Sequence, residues 1–376
     1  MPAFTTEGGQ GNWKSINGTP PIYILPTGTT LFDSLRASLV TSEFCPGSHL
    51  AREDDLAWWK RVSVVRRCKN PKKNGPPVPE ENRHLQLANV GYLHGLTFMP
   101  RRIWLKPIKM GAKCTRCGSD SQWGVQEMVF GAGENAIGDF IWQDPFVSYR
   151  PSKKEGGKPY PITPKPDIAL WREYVGLFLP EKSNLTAGVW RQISNITKGD
   201  DEKFAFRCIG ALTNHMSFDE WFDTEMLVPL RLLRDPAHGQ QVRTGFTFAE
   251  NCSNLLIKHF KRAFVPSGES KGKKVNEGLK SQMEIRYWSG LAEKFLNDFV
   301  QKMTAEDWQA DYRTWMDFVI RQAYDAFQQA CESASLKGTT ASQRAEALSA
   351  CRVDLFTARK KHLIQKGLND DREKRS

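Results

Sequence analysis

The chain has 376 residues, 40% of them hydrophobic, which excludes a peptide-sized module and suggests two or three domains with a full core. Lysine and arginine outnumber aspartate and glutamate by 53 to 42, and the net charge of +11 favours a polyanionic partner such as nucleic acid. Eight cysteines with one close pair argue against a secreted disulfide framework, and neither a signal peptide nor an apolar run of about 18 residues is found. We therefore expect a soluble, cytoplasmic protein.

The N-terminal residues 7–21 hold four glycines and no helical or strand pattern, which predicts a loop. Such glycines either leave the backbone flexible or let it approach a flat or grooved ligand closely, with Lys14 alongside. Beyond the loop, the pattern predicts a short strand at Ile22–Leu25, a helix at Thr30–Val40 with its leucines on one face, and a second helix at Glu53–Arg61.

Basic residues are concentrated between residues 61 and 73, just before a proline-rich linker. Arg66 and Arg67 lie in this run, which is either a solvated surface or a contact for phosphate. The segment Leu93–Ile108 then alternates apolar and basic side chains around Pro100, and this alternation predicts a pair of strands.

The predicted strand pair leads into a basic segment that ends in a C-x-x-C-G knuckle. Cys114 and Cys117 can both face one metal ion, and the knuckle holds Lys113 at its edge, with Lys109 on the approach. A single C-x-x-C supplies only half of a four-ligand zinc site, so the alternative is a surface loop with two unpaired thiols.

The middle of the chain predicts a basic loop at Pro151–Pro166, helices at Ile168–Leu179 and Leu185–Ile193, and an apolar run at Lys203–Leu212. This run ends at four consecutive residues, Asn214, His215, Met216 and Ser217. Because buried methionine is common, ordinary packing is the simplest role for Met216.

From about residue 240 the chain shows long helical periods, predicted at Gln240–Val265, Val275–Met303, Asp307–Ser335 and Ser342–Lys366. Thr304 and Thr340 are predicted helix N-caps. Short connections make neighbouring helices antiparallel, which predicts a four-helix bundle over residues 240–376. Together with a mixed, irregular α/β domain over residues 1–235, this gives an α+β fold class.

Basic side chains on the outer faces of the predicted bundle include Lys258, Lys261 and Arg262, which are either solvated or a track for a nucleic-acid strand. The sequence contains no Walker loop, G-x-S-x-G elbow, H-E-x-x-H helix or dinucleotide fingerprint. We therefore expect a protein that is not an enzyme, with a metal-dependent nuclease as the alternative.

Four stretches resemble the CasA family, the large subunit of the type I-E CRISPR surveillance complex Cascade, in their order and approximate spacing. They are Gly8-Gly9-Gln10-Gly11 with Gly18–Pro21, Val90–Ile103 running to Lys113–Gly118, Asn214–Met216 with Trp221, and Glu284–Trp288 with Leu291 and Phe295.

The resemblance implies a prokaryotic protein that reads a short motif on double-stranded DNA while guide RNA reads the target by base pairing. The implied motif readers are the loop Gly8, Gly9, Gln10 and Gly11 together with Lys113, and the implied wedge that opens the duplex is Asn214, His215, Met216 and Ser217. We expect the DNA backbone to contact Lys14, Arg66, Arg67, Lys109, Lys258, Lys261 and Arg262. The implied partners are the guide RNA ribonucleoprotein, the other Cascade subunits including a small-subunit pair, and a helicase-nuclease.

The sequence departs from the family pattern at two places. The wedge carries Met216 and His215 where a glutamine and an asparagine can occur, which leaves the preferred motif open. Family members also usually carry a further N-terminal segment with a second cysteine pair. If that pair completes a zinc site in relatives, Cys114 and Cys117 lack it here, with Cys45 and His49 as candidate substitutes. A structural subunit that does not read the motif is therefore a further alternative.

Overall fold

The computed structural model describes residues 16, 20–47, 53, 55–57, 84–86, 90–98, 101–132, 135–137, 142–179, 185–196, 203–214, 217–264, 277–333 and 340–368. The chain divides into two compact units, Met1–Thr197 with Phe206–Glu225, and Lys198–Ala205 with Met226–Ser376. Small sheets occur together with a C-terminal helical region, and the predicted α+β class is thereby confirmed.

Strands in small sheets dominate the described part of the first unit. They are β1 (Tyr23–Thr27), β2 (His84–Gln86), β3 (Arg101–Lys113), β4 (Asp120–Ala132), β5 (Asn135–Ile137), β6 (Tyr149–Arg150), β7 (Tyr160–Pro161), β8 (Lys203–Asn214) and β9 (Ser217–Pro229), the last two continuing into the second unit. β1, β8 and β9 form a three-stranded sheet in that order. β2 pairs with β5 in parallel, whereas β3 with β4 and β6 with β7 are antiparallel pairs.

Aromatic packing holds the core of the first unit together. Trp190 lies edge-on to Phe206 with ring centroids 5.2 Å apart, and Phe178 lies 5.4 Å from the same ring. The Trp190 indole N–H donates to the Phe178 carbonyl at 3.1 Å, so the buried polar atom of the tryptophan is satisfied. This cluster anchors β8 to the helices that precede it.

The described helices of the first unit are α1 (Leu31–Ala37), α2 (Tyr92–Leu96), α3 (Tyr174–Phe178) and α4 (Gly188–Ile196), with 3₁₀ turns at Ser42–Phe44 and Leu170–Glu173. Two of them, α1 and α3, are shorter than the sequence predicts, and α4 has the predicted length but begins three residues later. Of the helix predicted at Glu53–Arg61, the structure describes residue 53 and residues 55–57, and the latter three are not helical.

The predicted apolar face of α1 is not buried, because Leu31, Leu35 and Leu39 are 77%, 59% and 70% exposed. Local capping stabilises this helix instead. The Asp33 amide donates to the Thr30 hydroxyl at 3.1 Å, and that hydroxyl donates to the Asp33 carboxylate at 2.7 Å.

The strand predicted to begin at Leu93 is wrong over Leu93–Leu96, which belong to the helix α2. The reason lies far away in sequence. The Asp55 carboxylate accepts the backbone N–H groups of Leu93 and His94 at 3.0 Å each, and a carboxylate at a helix N-terminus stabilises the helix. The strand starts only at Arg101 and pairs with residues 120–132.

The described helices of the second unit match the four predicted periods closely. They are α5 (Arg231–Arg234), α6 (Pro236–Phe264), α7 (Glu277–Lys294), α8 (Val300–Lys302), α9 (Gln309–Ser333) and α10 (Ala341–Gln365), with a π-helical turn at Phe295–Phe299 between α7 and α8. The backbone N–H of Gln343 donates to the Thr340 hydroxyl at 3.1 Å, which confirms Thr340 as the N-cap of α10. The cap at Thr304 is wrong, because its hydroxyl donates to the Gln301 carbonyl.

The core of the second unit is centred on Trp315 of α9. Its ring stacks on Phe299 at a centroid distance of 4.7 Å, and its indole N–H donates to the carbonyl of Gly245 in α6 at 3.1 Å. Tyr312 and His362 add a hydrogen bond of 2.8 Å between α9 and α10. No helix among the residues that the structure describes is long and apolar enough to cross a membrane.

Candidate nucleic-acid interface

The predicted knuckle lies at the tip of a long ribbon formed by β3 and β4. The register runs from Arg101 opposite Ala132 to Lys113 opposite Asp120, with irregularities after Lys106 and Lys109. Each strand has 13 residues. At ~3.3 Å per residue, this length separates the tip from the base of the ribbon by about 40 Å.

Backbone hydrogen bonds close the tip into a tight turn. The Cys114 N–H donates to the Ser119 carbonyl and the Gly118 N–H donates to the Cys114 carbonyl, both at 2.8 Å. Gly118 has a φ of +72°, which glycine adopts without the steric cost that a side chain would bring. A Cβ added at Gly118 would lie 3.9 Å from Cε of Lys113, so the exposed lysine runs beside this turn.

The two thiols at the tip are exposed and unbridged. Cys117 Sγ lies 3.0 Å from the Ser119 hydroxyl, and hydrogen bonds from Ser119 and then from Cys114 lower the pKa of the Cys117 thiol to about 7. A thiol with a lowered pKa is a better metal ligand because the thiolate is the ligating form.

The described residues supply only part of a zinc site. Cys114 and Cys117 provide two of four tetrahedral ligands, and no cluster of three or more metal-ligating side chains occurs within the described ranges. Cys45 therefore does not complete the set, and His49 lies outside the described residues. Zinc binding stays a prediction that needs ligands from elsewhere.

Positive charge extends along the ribbon to its tip. Lys106 is paired with Glu127 at 3.1 Å across the strands. Lys109, Lys113 and Arg116 are exposed, and within the described part of the chain they have no ion-pair partner. Unpaired, exposed cations on a projecting element are suited to contact phosphate groups.

The ribbon also carries an exposed aromatic residue that the sequence analysis missed. Trp123 is 58% exposed and lies directly opposite Lys109. The sequence places Trp123 and Val125 two positions apart, the spacing of side chains on one face of a strand. Only the cross-strand register shows which basic side chain shares the face of Trp123.

Several predicted site residues cannot be placed. The glycine loop Gly8, Gly9, Gln10 and Gly11, the nearby Lys14, and the basic pair Arg66 and Arg67 all lie outside the described residues. Of the predicted motif readers, the structure describes Lys113 alone. Its proximity to the glycine loop therefore stays a prediction.

The predicted wedge lies at a strand connection. Asn214 ends β8 and Ser217 begins β9, and these strands are hydrogen-bonded neighbours. His215 and Met216, the two connecting residues, lie outside the described set. The structure describes the strand ends on either side of these two residues, and the role of the wedge stays a prediction.

Acidic residues follow the predicted wedge along β9, a feature that the sequence analysis did not use. Asp219, Glu220, Asp223 and Glu225 are exposed. Arg207 of β8 binds Asp223 through two hydrogen bonds and lowers the pKa of its carboxyl. The run of exposed carboxylates makes this strand acidic, which is unfavourable for contact with the DNA backbone.

The three basic residues predicted in the second unit differ in availability. Lys258 Nζ lies 2.9 Å from the Asp354 carboxylate, which also contacts the His259 ring at 2.9 Å, and both neighbours hold the pKa of that carboxyl below its usual range. Lys261 and Arg262 are exposed, and the described residues provide no acidic partner for either. Of the three, only these two charges are uncompensated.

Comparisons with known proteins agree on one family. The family model described as CRISPR-associated protein Cse1 matches residues 5–326 of this chain. Similar solved structures include CasA from Thermus thermophilus (16% identity, TM-score 0.58, 93% of this chain and 68% of that chain) and Cse1 from Acidimicrobium ferrooxidans (18%, 0.56, 92% and 64%). A chain of a structure described as a CRISPR RNA-guided surveillance complex also matches (18%, 0.57, 90% and 60%).

The compared structures support the fold alone, because their identities are low, and this chain spans 60% of the surveillance-complex chain. A search of curated protein sequences finds no match. The family model carries the assignment, since it matches most of the sequence. The chain therefore belongs to the CRISPR-associated Cse1 family, also called CasA.

Proposed function

We propose that this Cse1-family chain is a non-catalytic large subunit of a type I-E CRISPR RNA-guided complex, and that it recognises the protospacer-adjacent motif in double-stranded DNA. The observation that carries the proposal is Lys113, an exposed lysine held at the closed tip of a projecting basic ribbon. Membership of the Cse1 family supports the same role.

A lysine at the end of a closed turn suits readout of a short motif in the minor groove. That groove presents mostly acceptor atoms and a degenerate pattern, so one ammonium donor together with backbone N–H groups accepts several related motifs and rejects others. The turn closed by Cys114 and Gly118 restricts where the lysine can reach. The loop Gly8–Gly11 would supply the backbone contacts, as the family resemblance implies.

Duplex opening would follow motif recognition. Met216, at the connection of β8 and β9, is the proposed wedge, because an apolar side chain can partly unstack a base step and guide RNA pairing then captures the separated strand. The acidic side chains of β9 would keep the DNA backbone away from the shaft of this hairpin, so that only its end meets the duplex. The second unit would contact the small-subunit pair and help recruit the helicase-nuclease.

The test measures affinity of the assembled complex for duplexes with the motif and with the motif scrambled. Lys113→Ala should weaken binding to the motif duplex by roughly 10- to 150-fold, since a hydrogen bond from a charged donor contributes ~1.5–3 kcal/mol. The scrambled duplex should be affected little. Lys153→Ala, which removes an exposed lysine elsewhere in the first unit, is the matched control.

Opening of the duplex is measured separately with a fluorescent base analogue placed next to the motif. Met216→Ala should slow strand separation while motif binding is retained. Unchanged binding in Lys113→Ala together with unchanged opening in Met216→Ala would overturn the proposal.

A further inference from the structure

One face of the β3–β4 ribbon carries exposed apolar side chains in its middle section. Leu105 lies opposite Met128, Pro107 opposite Val125, and Lys109 opposite Trp123. Directly opposed residues in an antiparallel pair project from the same face. Met128, Val125 and Trp123 are 56%, 51% and 58% exposed, which is unusual for neighbouring apolar residues of a strand pair and indicates a partner.

Charge favours a polyanion as that partner. Residues 101–132 contain six lysines and arginines against two acidic residues, and one of the two, Glu127, is already paired with Lys106. Lys109 lies directly across the ribbon from Trp123, and Lys113 lies further towards the tip, opposite Asp120. An aromatic ring beside exposed cations is the arrangement with which proteins hold unpaired nucleotides, because the ring stacks on the base while the cations contact phosphate.

The geometry around Trp123 leaves its ring accessible and its backbone fixed. The backbone N–H of Trp123 donates to the Ser121 hydroxyl at 3.2 Å, and that hydroxyl donates to the backbone carbonyl of Trp123 at 2.7 Å. Towards the tip, Gly111 carries no side chain, and nothing lies within 4 Å of the position that its Cβ would take. The exposed ring and this open stretch of the ribbon leave room for a flat ligand beside Trp123.

We propose that Trp123 is a stacking platform for one unpaired base of the target DNA beside the motif, with Lys109 on the adjoining phosphate. The inference rests on the proposed function, in which Lys113 lies against the motif. Trp123 is three positions along the strand from Asp120, the partner of Lys113 in the register. At ~3.3 Å per residue, Trp123 lies about 10 Å from the reading position, a distance that a base opened within the first few nucleotides spans.

The experiment uses the assembled complex and motif duplexes in which the nucleotides beside the motif are either paired or left unpaired by mismatches. Trp123→Ala should weaken binding to the unpaired form by roughly 5- to 150-fold, the range observed for loss of base stacking, and should affect the paired form less. Trp123→Tyr, which keeps an aromatic ring, should bind within about threefold of the wild type.

An abasic site is then moved through the unpaired nucleotides one at a time. At the position that stacks on Trp123, removing the base should abolish the difference between wild type and Trp123→Ala, because both then lack the same contact. A difference that persists at every position would overturn the proposal, as would wild-type binding by Trp123→Ala.

Val125→Ser distinguishes a base from a protein on this face. It leaves the ring in place and removes apolar surface, so DNA binding and complex assembly should be unchanged. Loss of other subunits from complexes carrying Trp123→Ala or Val125→Ser would identify a protein partner and overturn the proposal. If the wild-type complex fails to distinguish motif from scrambled duplex, the proposed function itself fails, which is a different result from stacking failure alone.

Discussion

Ser119 controls the acidity of the Cys117 thiol at the ribbon tip, because its hydroxyl lies 3.0 Å from the sulfur and stabilises the thiolate. Alkylation follows the thiolate fraction, so the rate at Cys117 should rise with a midpoint near the thiol pKa of about 7. Ser119→Ala should move that midpoint upwards, towards the ordinary range of a cysteine. Peptide mass spectrometry of iodoacetamide-treated protein measures the rate at this residue, and an unchanged midpoint would contradict the assigned cause.

Lys258 and Lys261 look alike in sequence, but Lys258 forms an ion pair with Asp354. If the second unit contacts DNA, removing a phosphate-binding lysine should reduce the slope of log affinity against log salt concentration by ~0.9. We expect this change for Lys261→Ala and a much smaller one for Lys258→Ala, because the charge of Lys258 is already balanced. Affinities measured at about 50 to 200 mM salt test this, and equal effects would contradict it.

Candidate site residues could be predicted from the sequence only where they lie within a few residues of one another. The Cys114 and Cys117 pair, with Lys113 at its edge, could be identified because a C-x-x-C-G segment turns tightly by itself. Lys258 and Asp354 lie 96 residues apart, and Trp123 meets Lys109 only through the register of two strands. Such pairings depend on the tertiary fold, and a residue pattern alone does not contain them.

Gly245 of α6 is packed against buried aromatic rings, and this packing predicts a stability effect. A Cβ added there would lie 2.4 Å from Cζ of Phe299, and the buried rings around it cannot move aside without a loss of packing energy. Gly245→Ala should therefore destabilise the second unit, since overpacking costs ~1–3 kcal/mol while the gain in helix propensity offsets ~1 kcal/mol.

Gly290 of α7 is the matched control for this substitution. Its added Cβ would meet the end of the flexible Gln322 side chain at 2.3 Å, and the position is exposed, so Gln322 can move away. Gly290→Ala should leave the melting temperature unchanged or raise it. Circular dichroism melting curves of both variants make the comparison, and a Gly245→Ala protein as stable as Gly290→Ala would refute the packing argument.

Helical elements were predicted best where the apolar period is long. The stripe through Tyr312, Trp315 and Met316 is buried in α9 as expected. Short elements were predicted less well because distant contacts decide them. Asp55 makes a helix of Tyr92–Leu96, and α1 ends at Ala37 with its leucines exposed because capping, rather than burial, stabilises it.

At the scale of the molecule, each of the two units is made of two separate segments of the sequence. Lys198–Ala205 belongs to the second unit although Phe206–Glu225 returns to the first, so β8 and β9 pass between them. A boundary of this kind arises from strand pairing, which composition and periodicity do not reveal. The α+β class, by contrast, follows from the sequence because a region of mixed strands and helices is followed by a region of long helical periods alone.

The central claim is that this chain supplies motif recognition to an RNA-guided complex. Its most direct test compares the affinities of complexes assembled with and without the chain for motif and scrambled duplexes carrying the same guide-matched target. With the chain, the motif duplex should be preferred by roughly tenfold or more, since recognition of one base pair is worth ~1–3 kcal/mol, and without it the preference should vanish. A preference that persists without the chain, or equal affinity for both duplexes when the chain is present, would contradict the account.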